Sequence, residues 1–285
     1  MNYAYLRFPD FKGKAVTLSY DDGMMFDERM IAILDKYGLK CTFNLNSGQF
    51  AEKPYEEDYL HGRLTKEQCV ALYKNSPHEI AVHGYKHLSL IAYDDAGVMN
   101  DILFDRKNLE QIFGRVVKGM AYAYGDFNDE VVEDLRRCGI SYSRTTKNTH
   151  AFDLPKDWLR MPATCHHNDP KLPELVEKFS KLDVGDGGSW DWFRKEPQWF
   201  CLWGHSSEFF RDKNWDVLEN FGKELGGRDD IWNVTTGELY EYVQAYNRLQ
   251  WSVDGKFIHN PSATDVYLLI NTKKYVAKAG ETLAI

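Results

Sequence analysis

Two acids and two imidazoles stand at the ends of short apolar runs in the first third of this chain, and together they could hold a divalent cation. Asp21 and Asp22 close the run Ala15-Val-Thr-Leu-Ser-Tyr, and Gly23 follows them. His83 and His87 close the run Glu79-Ile-Ala-Val, with Gly84 between them. Apolar, β-branched runs of this length read as strands buried on both faces, the kind found in parallel sheets beneath helices. At a strand end the backbone turns, so side chains that alternate along the strand can reach one mouth. Two histidines four residues apart on a turn or helix put both rings on one side. One aspartate and two histidines make a three-ligand site with positions left for water, the layout of a catalytic metal rather than a closed structural one. Taken alone, Asp21-Asp22-Gly23 reads first as a strand-to-helix turn in which an aspartate caps the next helix. The second strand end, also bearing ligand-type residues, reverses that reading.

The rest of the chain alternates short apolar runs with amphipathic stretches. Strands are predicted at Val16–Tyr20, Cys41–Leu45, Ile80–Val82, Gly119–Tyr124, Ile140–Ser143, Trp158–Met161, Trp199–Trp203 and Ile231–Val234. Helices are predicted at Phe26–Tyr37, from Thr65, from Asp94 or Asp95 to about Phe113, from Asn128 to before Gly139, and at Pro173–Lys181 and Glu238–Leu249. This order predicts an α/β fold, a distorted TIM-like (β/α) barrel of seven or eight parallel strands over residues 1–249. Residues 250–285 read as short strands, a small β appendage packed on the barrel or on another copy of the chain, a homo-oligomer in the latter case. Barrel active sites lie at the C-terminal ends of strands. Asp21, Asp22, His83, His87, Tyr124 and His205 all fall there.

The two opening stretches resemble the signature of the metal-dependent polysaccharide deacetylases, the chitin, peptidoglycan and xylan deacetylases of carbohydrate esterase family 4. That family's Thr-Phe-Asp-Asp-Gly is similar to Ser19-Tyr20-Asp21-Asp22-Gly23, and its His-Ser/Thr-x-x-His to His83-Gly84-Tyr85-Lys86-His87. Its late Leu-x-His resembles Leu202-Trp203-Gly204-His205, with one residue more, and the likeness runs over roughly residues 13–245. The resemblance implies Asp22, His83 and His87 as ligands of one divalent ion. Zn²⁺ suits nitrogen-plus-carboxylate donors best, with Co²⁺, Ni²⁺, Mn²⁺ or Fe²⁺ as alternatives. It implies Asp21 as general base, His205 as general acid, and the Tyr124 amide as an oxyanion donor. The family's third motif, Arg-x-Pro-Tyr, puts Ala121 where an arginine orients the base; Arg160 is the residue expected to replace it.

His166 and His167 follow the Trp158–Ala163 run, and at most one of two adjacent residues on extended chain should face the mouth. Structural and substrate-contact roles are both open for the pair, and His166 is the candidate for substrate contact. Ser189-Trp190-Asp191-Trp192-Phe193 either fills the core or offers Trp192 as a sugar-stacking wall, and Asp191 resembles the family's fourth-motif aspartate beside the acid histidine. The expected activity is hydrolysis of carbon–nitrogen bonds other than peptide bonds, removing acetyl groups, mainly N-acetyl, from a carbohydrate. Two alternatives remain: hydrolysis of a non-sugar amide or imide by the same site, or a carbohydrate-binding barrel that has lost turnover.

With 285 residues, 43% hydrophobic and 27% charged, the chain has the makeup of a globular protein with a sizeable core. A net charge of −8 argues against nucleic acid or an anionic membrane as partner. No apolar run approaches the ~18–20 residues that span a bilayer, and the first residues lack a basic-then-apolar signal, so a cytoplasmic protein is expected. The five cysteines show no Cys-x-x-Cys pair and read as buried thiols.

Overall fold

Alternation along each strand decides what the fold buries. In Lys14–Asp21 all eight residues are buried. Val16, Leu18 and Tyr20 belong to the large apolar cluster shared with the helices. Thr17, Ser19 and Asp21 form the other row, and their polar atoms bond to one another's neighbours across the sheet. This second row can only face the inside of a closed barrel.

A computed structural model, describing residues 3–185 and 196–285, supplies the elements. Strand β1 is Ala4–Arg7, β2 Lys14–Asp21, β3 Cys41–Leu45, β4 Glu79–Val82, β5 Gly119–Ala121, β6 Tyr142–Asn148, β7 Met161–Ala163, β8 Cys165–His166, β9 Gln198–Gly204 and β10 Ile231–Asn233. Strands β2 to β10 form one parallel sheet in the order β7-β6-β5-β4-β3-β2-β9-β8, with β10 beside β2. Because β7 and β8 are one stretch of chain broken only at Thr164, pairing with β6 on one side and β9 on the other, the sheet closes on itself. Strand β10 pairs only with Lys14–Val16, below the point where β3 joins β2. The expected parallel barrel is thus the architecture observed.

Helices α1 (Asp27–Lys36), α2 (Lys66–Tyr73), α3 (Asp95–Phe113), α4 (Asp129–Arg137), α5 (Leu172–Lys181), α6 (Ser206–Asp212), α7 (Trp215–Leu225) and α8 (Thr236–Asn247) surround it. Helix α3 begins where the sequence suggests: the Asp94 side chain accepts the Gly97 N–H at 2.9 Å. Helices α6 and α7 were not expected. The first is only seven residues long, but α7 carries a regular apolar stripe of Trp215, Leu218, Phe221 and Leu225 that periodicity alone could have found. The strand predicted at Trp158–Met161 starts at Met161, after a tight turn over Trp158–Arg160.

The appendage is not confined to residues 250–285. Strands β11 (Gln250–Trp251), β12 (Phe257–His259), β13 (Val266–Ile270), β14 (Lys273–Ala277) and β15 (Thr282–Ala284) make two small antiparallel sheets. In one of them β1, from the start of the chain, pairs with β13. The Tyr242 hydroxyl of α8 fastens it, donating to the Arg7 carbonyl at 2.7 Å and accepting the Tyr267 N–H at 3.0 Å. Among the described residues no helix is long and apolar enough to cross a membrane. The five cysteines are buried and free.

Candidate active site

The inward rows end at one mouth, and their last residues make the site. Asp21 (β2) and Arg144 (β6) sit in those rows, with Asn44 of β3 beside them and His83 one residue past β4. Asp21 is buried, and its Oδ1 accepts from Asn44 Nδ2 at 2.8 Å. Its Oδ2 accepts a very short bond from Arg144 Nη2. Arg144 is itself buried, donates through Nε to Ser19 Oγ at 3.0 Å, and lies 4.5 Å from the Trp203 ring centre. Burial opposes ionisation of Asp21, but the Arg144 guanidinium, with His83 and His205, outweighs it and holds the carboxyl down to about 2.

Arg144 corrects the expectation placed on Arg160. That residue faces Asp157 at 2.5 Å and Asp129 at 2.6 Å, and takes no part in the site. In the register of β5 and β6, Ala121 lies directly beside Arg144. The guanidinium expected at position 121 therefore enters from the next strand over. The one hint in the sequence was its place just past the strand predicted at Ile140–Ser143.

Asp22 leaves the strand with φ of 83°, a left-handed conformation that costs a non-glycine residue about 1–3 kcal/mol. His87 and Tyr124 share it, at 54° and 59°. The turn brings Asp22 Oδ1 to 3.6 Å from His87 Nε2 and 3.9 Å from His83 Nε2. His83 Nδ1 is 2.8 Å from the Ala121 carbonyl, so that nitrogen donates there and Nε2 is the ring atom turned towards Asp22. Burial, then the neighbouring His83, push the His87 imidazole down to about 4, which leaves it neutral at pH 7. Donor atoms about 2.1 Å from one tetrahedral ion are ~3.4 Å apart. Asp22, His83 and His87 lie close to that spacing and form one of two clusters of metal-type donors among the described residues.

The His83 turn hangs from α3. Asp105 accepts the Ser47 N–H at 2.6 Å and the His83 N–H at 3.1 Å; Asp101, one helical turn away, accepts the Lys86 N–H at 2.9 Å. Gly84 has φ of 84°, and a Cβ there would meet Asp101 Oδ2 at 2.7 Å. Gly84→Ser is therefore expected to lower stability by roughly 1–3 kcal/mol. Urea unfolding measures it, and an unchanged midpoint would refute this account of the turn.

His205 stands at the mouth with Nε2 3.8 Å from Asp22 Oδ2. Its Nδ1 lies 3.3 Å from Glu208 Oε2, which also accepts the His205 backbone N–H at 3.0 Å. Burial works against its charge, but the Glu208 hydrogen bond and the charges of Asp21 and Asp22 raise it to about 9. Glu208, in the first turn of α6, is thus the carboxylate beside the acid histidine. Asp191, to which sequence reasoning gave that place, lies outside the described residues, as does Trp192.

His166 and His167 do not point apart as expected, because the chain turns after β8. Their rings are 4.4 Å apart, with Nε2 atoms 3.0 Å and 3.6 Å from Glu208 Oε2. Gly204, the extra residue before His205, makes room for this: a Cβ there would be 2.1 Å from His167 Nδ1. His166, His205 and Glu208 form the second donor cluster. His166 Nδ1 accepts the Asn168 N–H at 3.1 Å, so its Nε2 bears the proton and donates to Glu208. That tautomer makes the cluster a hydrogen-bonded group, without the free lone pair a metal needs. Tyr124 is 66% exposed with its ring 4.6 Å from that of His87, so it borders the open mouth.

Residues 9–143 match the family model for polysaccharide deacetylase. Curated relatives include a poly-beta-1,6-N-acetyl-D-glucosamine N-deacetylase of Staphylococcus aureus, 23% identical over 167 residues, 53% of this chain and 57% of that protein. The match thus spans a little over half the length of those relatives. A solved Mycobacterium smegmatis protein assigned as a polysaccharide deacetylase superposes with a TM-score of 0.60 at 19% identity, over 86% of this chain and 95% of that one. A family 4 carbohydrate esterase from Streptomyces lividans gives 0.50 at 15% identity, over 78% and 92%. At such identities the two structures speak for the fold alone. Asp21, Asp22, His83, His87 and Tyr124 all fall inside the matched segment, while Arg144 and His205 lie beyond it. Residues 9–143, a little under half of the chain, are thus similar to the polysaccharide deacetylase family.

Proposed function

We propose that the protein is a metal-dependent deacetylase of a carbohydrate, acting mainly on N-acetyl groups. One observation carries the reading: Asp22, His83 and His87 bring three donor atoms within 4.8 Å of one another, with Asp21 and His205 beside them. The name of the Staphylococcus aureus relatives points to an N-acetylated amino sugar as substrate.

A divalent ion held by Asp22, His83 and His87 would supply Lewis acidity, polarising the acetyl oxygen and easing deprotonation of water. The protein's own groups do the rest. Asp21, kept ionised by Arg144, accepts the proton of the attacking water. As water oxygen bonds to the acetyl carbon, the carbon–nitrogen bond breaks and His205 gives its proton to the departing nitrogen, leaving acetate and a free amine. Glu208 holds the His205 ring so that Nε2 faces the mouth. The alternative of a barrel without turnover was motivated by Ala121; Arg144 against Asp21 favours turnover over it.

The test is acetate release from N-acetylated oligosaccharides with added Zn²⁺ or Co²⁺, beside small amides and imides. Sugar deacetylation that falls about 10²-fold or more in His83→Ala supports the proposal. Turnover of small amides with no acetate from sugars would replace it by the non-sugar reading.

A further inference from the structure

The segment between β3 and α2 sends one side chain against the cation site that the chemistry above does not use. Arg63, partly buried, donates from Nη2 to Asp22 Oδ1 at 2.9 Å. That is the oxygen facing His87 Nε2 at 3.6 Å and His83 Nε2 at 3.9 Å. From Nη1 the same guanidinium donates to the Asp22 carbonyl at 2.6 Å and to Asn46 Oδ1 at 2.8 Å. Asn46 Nδ2 passes the connection on to the carbonyls of His83 and Gly84, both at 2.7 Å. One arginine therefore ties together the two turns that carry all three donors.

Two physical effects follow, and they oppose each other. The fork fixes Asp22 in its left-handed turn and holds it near the two imidazoles, which prepares the site. It also puts a positive charge within hydrogen-bond distance of the carboxylate oxygen that a dication would use. At such separations, in a partly buried setting, Coulomb repulsion between charges of one and two units is large compared with thermal energy. The guanidinium and the dication also compete for the same oxygen lone pairs.

We propose that Arg63 sets the metal affinity of this site, competing with the cation for Asp22 Oδ1 while holding the Asp22 and His83 turns in ligating positions. The inference rests on the metal reading given above, and its test reads binding without turnover. Zn²⁺ and Co²⁺ are titrated into chelator-stripped protein by calorimetry, with the Co²⁺ visible spectrum as a second signal. The parent is compared with Arg63→Gln, Arg63→Met, Arg63→Lys and His83→Ala. Both uncharged variants should bind one equivalent about tenfold tighter or more, and Arg63→Lys should stay within about threefold of the parent. Thermal unfolding without metal identifies any variant that fails to fold, and two uncharged variants keep the test standing if one does. Unchanged or weaker binding in the folded uncharged variants would overturn the proposal. A parent that binds no metal, or a His83→Ala that binds as the parent does, would instead overturn the metal assignment itself.

Discussion

Arg144→Met is expected to cost about 3–5 kcal/mol of stability at neutral pH and to lower turnover roughly 10²- to 10⁴-fold. The change leaves Asp21 buried with Asn44 as its remaining side-chain hydrogen-bond partner, so burial, which opposes ionisation, acts with far less opposition. The pH dependence has a definite sign. Asp21 is held down to about 2 in the folded protein, below its unfolded value near 4, so its contribution is present above pH ~4 and lost as pH falls towards 2. The stability gap between variant and parent should therefore be widest at neutral pH and narrow below pH ~4. Urea unfolding at pH 7 and pH 3 measures this, and a gap independent of pH would contradict the Asp21 pairing. Because Ala121 lies beside Arg144 across the sheet, the double change Arg144→Ala with Ala121→Arg should recover part of the lost turnover. No recovery in a folded double variant would count against the relocated guanidinium.

Glu208→Gln is expected to act on the leaving group. Without the carboxylate at 3.3 Å, His205 loses the strongest of the influences that raise it to about 9. His205 must be protonated to donate, so the alkaline limb of the rate profile should move one to two units towards acid, and N-acetyl hydrolysis at pH 8 should fall about 10- to 100-fold. An activated aryl acetate, whose leaving group needs no proton, should lose less than about threefold. Parallel losses on both substrates would mean that Glu208 supports the fold and not the acid.

Much of this was legible in the chain. Asp21, Asp22, His83 and His87 stood out because two separate strand ends both carried ligand-type residues, and the barrel rule put those ends together. What escaped reading escaped for physical reasons. Closure of the barrel depends on Met161–His166 pairing on two sides, which is a long-range fact with no local pattern. Arg144 lies in Tyr142-Ser-Arg-Thr-Thr-Lys-Asn, too polar to announce a buried strand, yet its row follows from pairing with β5. Glu208 hides in a seven-residue helix, and its role comes from a turn that folds back on His205. Arg63 sits in a long loop, where nothing in the sequence signals contact with Asp22. Strand β1 is four residues of ordinary composition, and only β13, more than 250 residues later, makes it a strand.

The most direct test of the account is to strip the protein with chelator and follow acetate release from an N-acetylated amino-sugar oligosaccharide as Zn²⁺ or Co²⁺ is restored. The account predicts no activity at the start, a linear rise that breaks at one equivalent, and no rise in Asp22→Asn. Full activity in the stripped protein, or an Asp22→Asn variant that regains activity as the parent does, would contradict it.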